Sequence, residues 1–208
     1  LLHKNQQNGS FDTIAKIQKI IYGECLNSIS FEDAITKTYF FHKLTSITDI
    51  PTIYLDFDLL YSGYVAARIL SQDQNVTLHQ PTQQTWKNLS VDVMDKISQK
   101  QHLVIIDSLN GFFTTLLNQK ESGRTINNTI MLLVSTGQKT NSVVVVGSIS
   151  NFKKDEGWIL SAVGRRVIEI EKMNLLSVRR QNSNLQLASL DHHNFKKSLL
   201  QISDLDFL

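Results

Sequence analysis

Four short apolar runs, continuous rather than alternating, do most to limit the folds open to this 208-residue chain. They are Ile17–Tyr22 (interrupted by the polar Gln18 and Lys19), Thr52–Phe57, Leu103–Ile106 and Val143–Val146. A strand with one face in water alternates apolar and polar side chains, whereas a strand covered on both faces is apolar throughout. Segments with helical spacing separate the runs. In Phe31–Leu44, Phe31, Ile35 and Thr38 share one stripe with Ala34 and Phe41 beside it, and Gly63–Leu70, Ser90–Ile97 and Ile126–Thr136 are further helical candidates. Strands that alternate with helices build βαβ units, so the expected class is α/β with a mostly parallel central sheet.

The end of the chain changes character. Arg165–Glu171 and Leu185–Leu190 alternate, and Leu175–Arg180 is short and mixed. These read as antiparallel strands, with Met173–Asn174 and Gln181–Asn184 as turns. No repeat or linker divides the sequence, so one domain over residues 1–208 is expected, with 1–14 as an N-terminal extension and 198–208 as a C-terminal tail. The tail alternates acidic and apolar residues; as a clamp-docking peptide it misses the required spacing by one residue, at Asp204, which favours a packed or frayed terminus.

The formal net charge of +2 excludes the whole-molecule basic field of a strong nonspecific nucleic-acid binder. Residues 1–150 balance twelve basic against twelve acidic side chains, while 151–200 hold nine against five, so any anion-binding surface is expected in the C-terminal third. Cys25 is the only cysteine, which rules out an internal disulfide and suits a reducing, cytoplasmic setting. No apolar run reaches the roughly 18 residues of a membrane span, and Leu1–Ser10 carries no signal-peptide core. His192-His193 has no further ligand at metal spacing, so no metal site is expected there.

The segment Ile20–Ser30 reads as a strand end, a turn and the start of a helix, the context of a phosphate-binding loop with spacing G-x-x-x-x-G-K-[ST]. Gly23 and Ser30 take the first glycine and the hydroxyl positions, Ser28 the second glycine and Ile29 the lysine. An isoleucine supplies no cation, and each lost charge-assisted hydrogen bond is worth roughly 1.5–3 kcal/mol, or about ten- to a hundredfold in affinity. Alone, the segment favours a strand-end turn at Gly23 followed by an ordinary helix cap at Ser30. Further on, the strand at Pro51–Asp58 ends in two acids and the strand at Leu103–Leu109 ends in Asp107-Ser108. A strand-end aspartate can hold Mg²⁺ through water, and an acid on the neighbouring strand can polarise an attacking water; each singly is also an ordinary turn or cap residue.

Taken in order, the strand–loop–helix, IYLDFD, LVIIDSL, VVVVGS, GRRVIEIEK and LLSVRR resemble the RecA/RadA/KaiC superfamily over roughly residues 15–190. The resemblance implies a three-layer α/β/α domain with C-terminal antiparallel strands. It puts a catalytic acid at Asp58, a Mg²⁺-associated aspartate at Asp107 and the phosphate loop at Gly23–Ser30. A polar sensor is not matched after Val143–Gly147, because Ile149 separates Ser148 from Ser150. Arg165, Arg166, Arg179 and Arg180 fall on the basic C-terminal strands, as candidate contacts to phosphate or nucleic acid. Only one of each pair can join such a patch, since successive strand residues face opposite sides, and a charge-protected sheet edge is the competing reading.

With the lysine missing, the chain is similar to inactivated members, including the RecA-like accessory subunits of Elongator and inactive KaiC-like archaeal proteins. The expectation is a non-hydrolysing pseudo-ATPase that binds or regulates within an oligomer, as a homo-oligomer or beside RecA-like paralogues. It has no resident cofactor, and Asp58 and Asp107 are vestigial candidates, Asp107 for Mg²⁺ if that is bound. Two alternatives stand beside it. One is a divergent ATPase with weak ATP and Mg²⁺ binding, its cation supplied by Lys37 or Lys43 if the helix brings them near. The other is a nucleic-acid-binding recombinase paralogue. Trp86, Trp158, Phe112 and Phe113 lie near predicted loops or helix starts and read as core anchors before partner contacts.

Overall fold

A computed structural model describes residues 13–117, 119–153, 157–160, 173–181, 184–190 and 196–203. The sheet has strand order β3-β2-β4-β5-β1-β7-β8-β9, with β6 paired to β5 off this path. These strands are β1 (Leu26–Phe31), β2 (Thr52–Asp56), β3 (Val76–His79), β4 (Leu103–Asp107), β5 (Val143–Lys153), β6 (Gly157–Leu160), β7 (Asn174–Gln181), β8 (Asn184–Leu190) and β9 (Lys196–Ser203). The helices are α1 (residues 13–21), α2 (Ala34–Ser46), α3 (Leu60–Ala66), α4 (Trp86–Gln99), α5 (Leu109–Thr115) and α6 (Ser122–Gly137). Pairing is parallel from β3 through to β7 and antiparallel from β7 to β9 and between β5 and β6.

The apolar runs at β2, β4 and the start of β5 behave as doubly covered strands. Along β4, Val104 and Ile106 join the core under α4, α5 and α6, while Leu103 and Ile105 join the core under α1, α2 and α3. Period-two alternation thus feeds two apolar layers from one continuous run, giving three layers. Phe112 stacks on Phe57 at 4.2 Å and meets Trp86 at 5.6 Å, so these aromatics and Phe113 anchor the core rather than a partner surface. The side chain of Trp158, His192-His193 and residues 204–208 lie outside the described ones.

The expected first strand is wrong by one element. Residues 13–21 form a helix in which Ile17 and Ile21, four apart, are buried while Lys16 and Lys19 are exposed. Of the two polar residues that interrupt the apolar run, Lys19 lies on the solvent face of this helix and Gln18 is half-buried, donating to the Ile47 carbonyl at 2.6 Å. The first strand is Leu26–Phe31, buried along its whole length although Asn27, Ser28 and Ser30 are polar. Its polar side chains are satisfied by neighbours. Asn27 donates to the Ile21 carbonyl at 2.8 Å and accepts from Asn174 at 2.9 Å, and Ser30 and Ser150 share a 2.6 Å hydrogen bond.

Other boundaries shift as well. Residues 13 and 14, placed in the extension, belong to α1, and residues 198–203, placed in the tail, belong to β9. Phe31 belongs to β1 rather than to the α2 stripe, and Asn174 belongs to β7 rather than to a turn. The C-terminal strands β7, β8 and β9 are antiparallel to one another as expected, and β7 joins them to the parallel sheet by lying parallel to β1.

Candidate functional site

Strands β2 and β4 end side by side inside the sheet, with β1 beyond β5, and the residues at these strand ends meet the first turns of α2, α3 and α5. Asp107 closes β4 with no exposure. Its carboxylate accepts from Lys37 Nζ on α2 and, at 2.5 Å, from the Tyr54 hydroxyl on β2. Asp58, just beyond β2, accepts from the same ammonium at 2.9 Å and from the Ser108 hydroxyl at 2.7 Å. Lys37 is itself fully buried. To reach β4 its chain passes over Gly147 of β5, where an added Cβ would lie 3.6 Å from Lys37 Cδ and 2.6 Å from the Phe41 ring.

Burial and charge act on these groups in opposite directions. Burial pushes the Asp107 carboxyl up to about 6, although Lys37 and Tyr54 pull it down. For Lys37, burial alone would lower the pKa, but the charges of Asp107 and Asp58 and their hydrogen bonds together hold it above the ordinary lysine value. Burial and the neighbouring Asp107 raise the Tyr54 phenol well above its ordinary range. Asp56 is fully buried, with one oxygen accepting from Ser62 N at 2.7 Å and the other without a partner. Burial raises its pKa, which favours the neutral acid.

A second part of the site lies on the turn from β1 to α2, which consists of Glu32 and Asp33 alone. Asp33 caps α2, one carboxylate oxygen accepting from Thr36 N at 2.8 Å and the other from the Thr36 hydroxyl at 2.7 Å. Glu32 forms a 2.9 Å ion pair with Arg179. The parallel register explains this contact: Phe31 pairs with Val178, so the next residue on each strand comes together.

No family model matches the sequence, and no curated protein matches it. Among solved structures, one described as the RadB recombinase superposes with a TM-score of 0.56 at 15% identity, covering 85% of this chain and 84% of that chain. The fold is RecA-like. In all, 230 solved chains match, so the likeness identifies a widely used fold and leaves the chemistry to the residues.

The fold puts the strand–helix junction elsewhere than Gly23–Ser30. Such a loop joins a strand to the helix that follows it. Gly23 lies in the turn between α1 and β1, and Ser28, Ile29 and Ser30 are interior residues of β1, with Ile29 fully buried. They form no loop, and Ile29 stands at no phosphate. The junction of strand and helix is β1–α2, where the motif spacing runs from Phe31 to Thr38 and ends in Lys37-Thr38. The lysine and hydroxyl positions are therefore filled, and both glycine positions are not: Phe31 and Thr36 occupy them. Residues 34–36 are wound into helix instead of forming an open loop. At this turn the Thr36 amide is bound by Asp33 and the Lys37 ammonium by two aspartates.

Asp58 and Asp107 are brought together as expected, and Lys37 joins them, whereas Lys43 lies two turns along α2. Arg165 and Arg166 fall outside the described residues. Arg179 reaches the turn but is bound to Glu32, and Arg180, next along β7, is exposed. Among the described residues no cluster of His, Cys, Asp and Glu has the arrangement of a metal site, and no helix is long and apolar enough to cross a membrane. Tyr54, Ser108, Asp33 and Glu32 escaped sequence reasoning. The Lys37-Thr38 dipeptide was the available signal for the correct junction.

Helix α5 packs onto this site through Gly111. A Cβ there would overlap Asp58 Oδ1 and approach the Phe57 carbonyl carbon and Asp58 N to 2.9 and 3.0 Å, both backbone atoms that cannot swing away. Gly111→Ala is expected to cost about 1–3 kcal/mol, read as a fall of roughly 2–10 °C in Tm by thermal melting.

Proposed function

We propose that this chain is a RecA-like subunit that works by binding within an oligomeric assembly and does not hydrolyse ATP. The observation that carries the reading is the state of Lys37. Its ammonium is buried between Asp107 and Asp58, on a helix whose N-terminus is already capped by Asp33. A lysine so held is neutralised by the acids that would otherwise serve Mg²⁺ and water, and a two-residue turn offers no cradle of amides. Loss of the glycines, rather than of the lysine, supports the pseudo-ATPase reading.

Surface character supports a binding role. Ile35 on α2 is 51% exposed, Leu59 before α3 is 55% and Ile69 after it is 58%, with no charged residue between Leu59 and Ala67. The partner in this reading is a second copy or a RecA-like paralogue, in the manner of the Elongator-type and KaiC-like members. A divergent ATPase is the second reading, favoured by one observation: Lys37, Thr38, Asp58 and Asp107 are all present on the correct elements.

Calorimetric titration with Mg-ATP separates them. The binding reading expects no saturable heat up to about 1 mM, weaker than roughly −4 kcal/mol, and no phosphate release. Micromolar affinity with turnover establishes the ATPase instead.

A further inference from the structure

Resting on the reading of the chain as a subunit that binds within an oligomer, we propose that the free edge of β9 pairs with β9 of a second copy, antiparallel about Gln201. β9 is the last strand of the sheet, and among the described residues nothing pairs with its outer side. An open edge presents a row of unpaired N–H and C=O groups, which proteins blunt with short strands, proline, bulges or charges along the strand. β9 runs for eight residues, holds no proline and carries no charge after Lys197. Its one irregularity is a bulge at Leu199, beyond which Leu200–Ser203 pair in step with Leu187–Asn184. The core layer also reaches this edge. Leu200 pairs with Leu187 and Ile202 with Leu185; Ile202 is buried, Leu200 is half-buried against the same cluster, and Leu199 is 37% exposed.

Charge at the two ends of the strand selects the partner. The register puts Lys197, Leu200 and Ile202 opposite Ser189, Leu187 and Leu185, which alternate along one face of β8. In the sequence, the next residue of that alternation after Ile202 is Asp204. The series is therefore cation, leucine, isoleucine, anion, which is complementary to its own reverse. Antiparallel pairing centred on Gln201, with Leu199 as the extra residue of the bulge, sets Leu200 opposite Ile202 and Lys197 opposite Asp204. Two-fold symmetry repeats each contact. A slip of one residue turns the apolar pair to the wrong face, and a slip of two sets a charge opposite Leu200 or Ile202. A second copy thus satisfies the edge, the apolar face and both charges in a single register.

The experiment is sedimentation equilibrium of the whole chain at low salt, with circular dichroism melting to check that each variant is folded. The natural sequence is expected to be a dimer at about 100 µM. Lys197→Asp and Asp204→Lys each set like charges opposite one another twice per dimer, and each is expected to weaken self-association by about tenfold or more. Lys197→Gln and Asp204→Asn, which only remove charge, are expected to weaken it less. An equimolar mixture of Lys197→Asp and Asp204→Lys chains should associate as a heterodimer, and the double exchange within one chain should restore the homodimer. A natural sequence that stays monomeric at that concentration overturns the inference, as does a dimer that neither charge reversal weakens; the oligomeric reading then stands on another surface or on a paralogue. Folded single variants that stay apart when mixed overturn the pairing of Lys197 with Asp204 and the register with it. Turnover of Mg-ATP by the natural sequence overturns the non-hydrolysing reading itself, whatever β9 does.

Discussion

Replacing Lys37 with methionine is expected to destabilise the fold by about 3–5 kcal/mol at neutral pH, because it leaves Asp107 buried without its cation. Lys37 and Asp107 are both fully buried, so water cannot compensate. The size of the loss should depend on pH in a defined direction. The Asp107 carboxyl already sits at about 6, above its ordinary 3.8, so the folded state holds more protons than the unfolded state between these values. Stability attributable to Asp107 is therefore complete below about 4 and falls as pH rises through about 6. Lys37, held above its ordinary value, keeps its contribution until pH exceeds that value. Without Lys37, the acid loses the charge that pulls it down, and its pKa climbs further. The deficit of Lys37→Met against the natural sequence should be largest above pH 7 and shrink towards pH 5, as followed by urea denaturation across that range. Adding Asp107→Asn should recover more than half of the loss at pH 7, since the uncompensated charge is then gone. A variant that melts like the natural sequence at every pH would show that Lys37 is not buried against Asp107.

This ion pair also shows which parts of the site could be read from the sequence. Asp58 and Asp107 stood out because they close apolar strands, and strand ends are where side chains leave the sheet toward ligands. Tyr54 did not, since a tyrosine inside an apolar run reads as core, and only the packing of β2 against β4 turns its hydroxyl toward Asp107. The sequence marks Lys37 only as a conditional cation, because the apolar runs put the first strand one element too early and so hide that Lys37 opens the helix after β1. The error has a physical source. Apolar content locates a strand only when its polar neighbours are unsatisfied inside; on β1, Asn27 and Ser30 are satisfied by Asn174, the Ile21 carbonyl and Ser150, so half its residues can be polar and still buried. The Glu32–Arg179 contact joins residues far apart in the chain and depends on β7 lying parallel to β1, a pairing no local pattern encodes. The α/β class and the central strands β2, β4 and β5 were legible for the opposite reason, since their signal is local and repeated.

Ile29→Lys tests the relocation of the loop most severely. If Gly23–Ser30 were the phosphate loop, this substitution would supply the missing cation and improve nucleotide binding. With Ile29 at the centre of β1, flanked by Gly147 and Leu176 and without solvent exposure, it should instead unfold the protein. A lysine in such a place is retained only as the neutral amine, and buried lysines reach pKa values near 5–6. Against an ordinary value near 10.4, discharging it at pH 7.4 costs about 4 kcal/mol, before the strain of a longer side chain is added at about 1–3 kcal/mol. The sum approaches the whole stability of an ordinary domain, about 5–15 kcal/mol. The sign with pH is opposite to that of Asp107. A depressed lysine pKa means that the unfolded state binds more protons, so any residual stability of Ile29→Lys should rise with pH up to about 10. Circular dichroism at pH 7 and pH 9.5 would read it as a largely unfolded chain that regains structure in alkali. A folded variant with improved ATP binding would return the phosphate loop to Gly23–Ser30, and with it the lysine to position 29. The expected collapse leaves Lys37, in the first turn of α2, as the lysine of the strand–helix junction.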